Sequence, residues 1–180
     1  MMGFFSISVQ NRSNTSTNTE NIVNPANLVN PVKRMNPELI QGGTYTDARG
    51  VVRFCNDFDM SAVKRFYTIA NSAEQPVRGW IGHKRETKWF FPIKGTTTIA
   101  VEPMADDVFA AKNAENSKVV SDRFVLNANE PKVLRVPSGN WFCIWQNGDA
   151  EVMVFSDCRV GEYENDDFRR PVVKEVFGQD

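Results

Sequence analysis

Histidine is nearly absent from this chain: among 180 residues there is one, His83. A mechanism built on two histidines, or a metal centre held by several, is thereby excluded. Cysteine is scarce as well. Cys55, Cys143 and Cys158 are odd in number and far apart, and they match neither a disulfide framework nor a CxxC metal site. No run of 18 apolar residues exists, so no membrane-spanning helix is expected. An excess of positive charge is also missing. Lysine plus arginine total 21 against 22 acids, with a net charge of −1 and a pI near 5.9; nucleic acid is therefore not an expected partner. What remains is ordinary: 41% hydrophobic and 24% charged residues, in a length that suits one globular domain with a tail.

The first ten residues hold a short apolar stretch, Gly3-Phe4-Phe5-Ser6-Ile7-Ser8-Val9. It lacks a basic segment and a small-residue cleavage site, so a signal peptide is not expected and the cytoplasm is the expected compartment. Residues 11–38 contain eight asparagines and three Asn-Pro pairs, at Asn24-Pro25, Asn30-Pro31 and Asn36-Pro37. Proline at this spacing blocks regular helix. Residues 1–38 therefore read as an extended arm, either wrapped on a partner subunit or mobile, and residues 39–180 as the folded domain with its tail.

From Leu39 onward, short runs rich in Val, Ile, Phe, Tyr, Trp and Thr recur every ten or so residues, separated by Gly, Pro, Asn and Asp. Strands are expected near 39–45, 50–56, 63–70, 77–82, 86–94, 96–103, 122–127, 132–136, 140–146 and 150–156. Asn147-Gly148, between two apolar runs, predicts a two-residue type I′ hairpin; Lys94-Gly95 predicts a second tight turn. The polar, alanine-rich segment 105–121 reads as a loop with one helical turn. Residues 162–170 read as a closing helix that Pro171 ends. Many short strands without βαβ alternation define an all-β sandwich or small barrel.

Two stretches combine strand residues, turn residues and inward-facing polar groups. The first runs from Val77-Arg78-Gly79-Trp80-Ile81-Gly82-His83-Lys84-Arg85-Glu86-Thr87 to Gly95. The second is Arg135-Val136-Pro137-Ser138-Gly139-Asn140-Trp141-Phe142 and the residues that follow to Asn147. Together they resemble the two motifs of the cupins, whose fold is the double-stranded β-helix or jelly-roll barrel. More narrowly, the order of elements over roughly residues 40–165 resembles the dTDP-4-keto-6-deoxyhexose 3,4-ketoisomerases, related in fold to the dTDP-4-dehydrorhamnose 3,5-epimerases. Arg78-Gly79 and Gly82-His83-Lys84 fit one family strand; Pro137, Gly139 and Trp141 fit another. Asp47-Ala48-Arg49-Gly50 and Lys64-Arg65-Phe66-Tyr67 resemble the family's entry strands.

The departures are informative. Of four ligand positions in a metal-dependent cupin, Ile81, Thr87 and Phe142 occupy three and only His83 remains. One imidazole does not hold zinc or iron, so no metal is expected. The sugar-nucleotide branch works without one, yet the resemblance there implies a histidine pair, of which one member is Ile81.

The resemblance implies a metal-independent isomerase or epimerase acting by proton transfer on a nucleotide-linked 4-keto-6-deoxysugar, without cofactor and as a homodimer. His83 would be the acid/base, since an imidazole with a pKa of roughly 6.5 shuttles a proton between neighbouring carbons. Tyr67 is the candidate second proton donor. Arg78, at a position the family uses near its anionic substrate, with Lys84 and Arg85, would hold the diphosphate. Trp89 and Trp141 either stack on a ring of the substrate or fill the core. Alternation along the strand places Ile81, His83, Arg85 and Thr87 on one face, where an inward Arg85 would lower the pKa of His83. Lys84–Lys88 read alternatively as a solvated edge, and Asp166-Asp167 as surface. Two rivals stand beside catalysis: a cupin that binds a carbohydrate or sugar nucleotide without reacting, and a structural barrel with a filled interior. A second titratable group across the cavity from His83 distinguishes the first rival; a cavity of any size excludes the second.

Overall fold

The computed structural model describes residues 35–104, 121–172 and 177. Most of the expected N-terminal arm, and the helical turn expected within 105–121, lie outside the described residues. Twelve strands follow one another among the described residues: β1 (Glu38–Gln41), β2 (Gly43–Asp47), β3 (Gly50–Phe54), β4 (Arg65–Ile69), β5 (Val77–His83), β6 (Lys88–Lys94), β7 (Thr96–Pro103), β8 (Asp122–Asn127), β9 (Lys132–Val136), β10 (Asn140–Gln146), β11 (Glu151–Ser156) and β12 (Phe168–Arg170). Ten of them form two antiparallel sheets, β1-β9-β6-β11-β4 and β12-β5-β10-β7-β8, while β2 and β3 pair as a separate ribbon.

From β4 to β12 every connection except that between β7 and β8 crosses from one sheet to the other, as in a jelly roll. One of these connections corrects the expected hairpin at Asn147-Gly148. β10 pairs with β5 and β7, β11 with β4 and β6, so this turn carries the chain across the sandwich. Gly148 has a positive φ of 58° but Asn147 does not, and a type I′ turn needs both. Lys94-Gly95 is the tight turn expected, and it too crosses between sheets. Gly95 (φ 62°) is required there, because a Cβ would sit 2.4 Å from the carbonyl oxygen of Asp149.

Between the sheets lies the main core. Phe90, Leu134, Val152 and Val154 from one sheet meet Ile99, Leu126, Phe142 and Ile144 from the other, each at most 3% exposed. The sheets are also covered outside, which explains why Trp89-Phe90-Phe91 is apolar without a break. Phe90 points inward, while Trp89 packs outward with Val133, Phe155 and Phe58. On the opposite outer face Trp80, Trp141 and Cys143 pack together, with Val172 against them. The closing helix expected over 162–170 is absent. These residues form turns and then β12, which pairs with β5 through Phe168↔Gly82 and Arg170↔Trp80. The Arg170 guanidinium lies 4.3 Å above the Trp80 ring and 5.0 Å from that of Trp141, and it pairs with Glu102. An aromatic sheet face with an open edge outweighs the helical propensity of a charged run.

Candidate functional site

A cavity of about 320 Å³ opens at one end of the sandwich, bounded by β4, β5, β6, β10 and the connection from β11 to β12. The interior is not filled at this end, in contrast to what a purely structural barrel would show. Ile69, Ile81 and Phe142 make its apolar half; Arg65, Tyr67, His83, Glu86 and Lys88 make its polar half.

The polar half is built by a single break in strand periodicity. β5 ends at His83, and the next three residues turn around the buried carboxylate of Asp166. Its Oδ1 accepts the N–H of Lys84 at 2.9 Å, and its Oδ2 accepts those of Arg85 and Glu86, each at 3.1 Å. Asp157 then accepts the N–H of Thr87 at 2.9 Å before β6 begins. The turn reverses the alternation expected from β5, so Glu86 faces the cavity and Arg85 does not. On β6, Lys88 shares the inward face with Phe90; on β4, Arg65, Tyr67 and Ile69 share theirs.

His83 is 7% exposed. Its Nδ1 lies 2.5 Å from the main-chain carbonyl of Asp166 and 3.4 Å from Oε2 of Glu86. Both neighbours only accept, so Nδ1 carries the hydrogen and the neutral ring keeps its lone pair on Nε2. Burial, then the Lys88 ammonium, push the imidazole pKa below its ordinary value, opposed by Glu86 and Asp166. Glu86, like Asp166, accepts three hydrogen bonds. Its Oε1 accepts from Arg65 at 3.0 Å, from the Lys88 ammonium and from the Ser156 hydroxyl. Burial alone raises a carboxyl pKa, but the bonds from Lys88 and Ser156 and the charges of Lys88 and His83 outweigh it, holding Glu86 at about 2. Arg65 and Lys88 both approach the Tyr67 ring, at 5.4 and 5.5 Å from its centroid.

Of the catalytic and substrate-binding residues expected from the sequence, His83 and Tyr67 line the cavity, one from each sheet. The others do not reach it. Arg85 is corrected from inward to outward: its side chain is 53% exposed and stacks on Tyr163 at 4.8 Å. The lowering force it was expected to exert on His83 comes from burial and Lys88 instead. Lys84 is exposed, its ammonium 5.3 Å from the Phe168 ring. Arg78 is exposed on β5, its Nε 3.4 Å from the Asn71 amide oxygen. Trp89 and Trp141 fill the two outer clusters; the Trp141 ring lies against Gly82, where a Cβ would approach it to 2.6 Å. Asp166 is not surface but 4% exposed, and Glu86 and Lys88 are buried rather than a solvated edge. Arg65, Glu86 and Lys88 were missed. Their signal was faint: Arg65 and Lys88 each stand two residues before an inward aromatic side chain, Tyr67 and Phe90, while Glu86 lies in the turn at 84–86, which hides its register. Arg159 and Arg169 also reach the cavity rim, Arg169 paired with Asp167 at 2.6 Å.

Among the described residues no three His, Cys, Asp or Glu side chains converge as a metal site would require. Glu86 is committed to Arg65, Lys88 and Ser156, so the residues present do not fit the metal-bound form of this architecture.

No family model matches this sequence, and no curated protein matches it. Solved structures do resemble it in fold. The 3,4-ketoisomerase of Helicobacter canadensis superposes with a TM-score of 0.54 at 16% identity, covering 76% of this chain and 92% of its own. A sugar 3,4-ketoisomerase from Thermoanaerobacterium thermosaccharolyticum, solved in complex with TDP, gives 0.54 at 19%, covering 75% and 88%. The RmlC epimerase of Mycobacterium tuberculosis gives 0.53 at 17%, covering 68% and 64%. At these identities the likeness defines the fold: the chain has the jelly roll shared by the dTDP-sugar ketoisomerases and the epimerase.

Proposed function

We propose that the protein is a metal-independent isomerase or epimerase that acts on a dTDP-linked 4-keto-6-deoxysugar by proton transfer. The observation that carries this is that His83 and Tyr67 line one cavity, each from a different sheet. With Nδ1–H committed to the Asp166 carbonyl, neutral His83 presents Nε2 as a base. It takes the proton from the hydroxyl-bearing carbon next to the ketone, leaving an imidazolium and an enediolate. A proton returned to the former ketone carbon from the imidazolium or the Tyr67 phenol, with the hydroxyl proton passing from one oxygen to the other, completes the shift of the ketone; a proton returned to the first carbon on its other face completes an epimerisation. Lys88 and Arg65 bring positive charge to the wall where the enediol oxygen becomes negative. The fold is one whose solved members include a ketoisomerase bound to TDP-4-keto-6-deoxyglucose. A titratable Tyr67 opposite His83 favours catalysis over the rival of a binding module. A cytoplasmic location belongs to the same proposal, as does a homodimer, which the exposed apolar residues Val51, Val52 and Phe66 support. The test is incubation with TDP-4-keto-6-deoxyglucose followed by proton NMR. A new keto isomer or epimer is expected; unchanged substrate beside measurable TDP binding would contradict the proposal and favour the binding module.

A further inference from the structure

Glu86 lies where the two sheets meet beneath the imidazole. Its backbone belongs to the turn after β5, while its carboxylate reaches Arg65 on β4, Lys88 on β6 and Ser156 on β11. The two oxygens divide the work. Oε1 takes all three donors, and Oε2 remains toward His83 Nδ1 at 3.4 Å. We propose that Glu86 is the positioning residue of the site, a carboxylate that balances protonation of His83 against the two cations of the facing sheet. The proposal builds on the proton-transfer reading above and names the group that makes the imidazolium affordable inside the protein.

The surroundings leave few other groups for that role. Phe142 on β10 has its ring centroid 6.1 Å from the imidazole and offers no charge. From β6 comes Lys88, which opposes an imidazolium; from β4 come Arg65, a further cation, and Tyr67. From the connection before β12 comes Asp166, whose Oδ2 is 4.0 Å away but already accepts two turn N–H groups. Arg85 of the same turn points outward. When Nε2 takes a proton, Glu86 is the nearest carboxylate to the new charge. It stands one position before the place a cupin motif reserves for glutamate, held here by Thr87.

Because the chain has one histidine, the imidazole Cε1–H NMR signal reports His83 without assignment. In Glu86→Gln, which keeps the size and one acceptor, the titration midpoint should fall by about one pH unit or more relative to wild type, since an opposite charge within a few ångströms is removed. Glu86→Asp should restore part of the shift. A merely structural role would loosen the site and move the midpoint up toward the ordinary value near ~6.5; an unchanged or raised midpoint overturns the proposal. Should Glu86→Gln fail to fold, Lys88→Gln serves instead: with the opposing cation gone and Glu86 present, the midpoint should rise, and no rise overturns the proposal equally. The titration needs no substrate. Absence of turnover with every 4-keto sugar would therefore count against the proposed reaction and leave this measurement standing.

Discussion

Nδ1 of His83 and the main-chain carbonyl of Asp166 lie 2.5 Å apart across 83 residues of sequence. One residue near the C-terminal end thus does two things for the site. Its carbonyl orients the imidazole, and its carboxylate ends β5 by taking three turn N–H groups. Asp166→Ala leaves those donors without their acceptor in a buried turn and should lower stability by about 2–5 kcal/mol in urea unfolding. The adjacent Asp167 has a side chain 58% exposed and pairs with Arg169, so Asp167→Ala should stay within about 0.5 kcal/mol. Equal losses from the two substitutions would refute the division of roles.

Acid stability should follow the buried pair His83 and Glu86. The imidazole pKa is pushed down in the folded state by burial and Lys88, so the unfolded chain binds a proton first and stability begins to fall as pH drops below about 6.5. The Glu86 carboxyl, held at about 2 in the fold against 4.5 unperturbed, contributes stability that is fully present above pH 4.5 and lost as pH falls toward 2. That contribution is on the order of a few kcal/mol. Denaturation curves between pH 7 and 2 check it: Glu86→Gln should remove the carboxyl's share of the loss below pH 4.5, while the histidine's share, which begins below about 6.5, extends to lower pH than in wild type.

The thiols should be slow. Burial pushes Cys143 up to about 12 and raises Cys158 and Cys55 as well. At pH 8 a thiol of pKa about 12 is thiolate in about one molecule in ten thousand, and only the thiolate attacks. Ellman's reagent should therefore label neither Cys143 nor Cys158 rapidly in the native protein and all three cysteines after unfolding. Fast native labelling of two or more would show that the sheets do not close as described.

Gly95 turns the chain between sheets with φ at 62° and the Asp149 carbonyl 2.4 Å from where a Cβ would stand. Gly139 has φ at 78° and open space around it. Gly95→Ala combines strain with collision and should cost about 2–4 kcal/mol, whereas Gly139→Ala carries strain alone, about 1–2 kcal/mol. Thermal unfolding of the two variants ranks them; the reverse order would contradict the turn geometry.

Strands were legible wherever aromatic and β-branched runs were bounded by turn residues: β8, β9 and β10 fall on the expected residues. What a local pattern does not carry is which strands pair. Asn147-Gly148 has the composition of a hairpin, but β10 and β11 each bury both faces in different sheets, and that tertiary demand sets the turn. β12 was hidden because three residues, Phe168-Arg169-Arg170, give too short a pattern, and their partner Trp80 is ninety residues away in sequence. In the site, His83 and Tyr67 could be named from motif and chemistry. Glu86 could not be, since Asp166, eighty residues on, bends the turn that brings it inward, and a period-2 count along 81–87 points to Arg85 instead.

The central claim is that His83 abstracts a proton beside a ketone, and solvent exchange measures that step directly. The protein is incubated with TDP-4-keto-6-deoxyglucose in D₂O, and deuterium at the carbon next to the ketone is read by NMR or mass spectrometry. Wild type should incorporate deuterium, and His83→Asn, which keeps size and polarity but accepts no proton, should abolish incorporation while TDP binding stays within a few fold. Wild-type protein that binds TDP yet incorporates no deuterium, or an Asn variant that exchanges at the wild-type rate, would contradict the account.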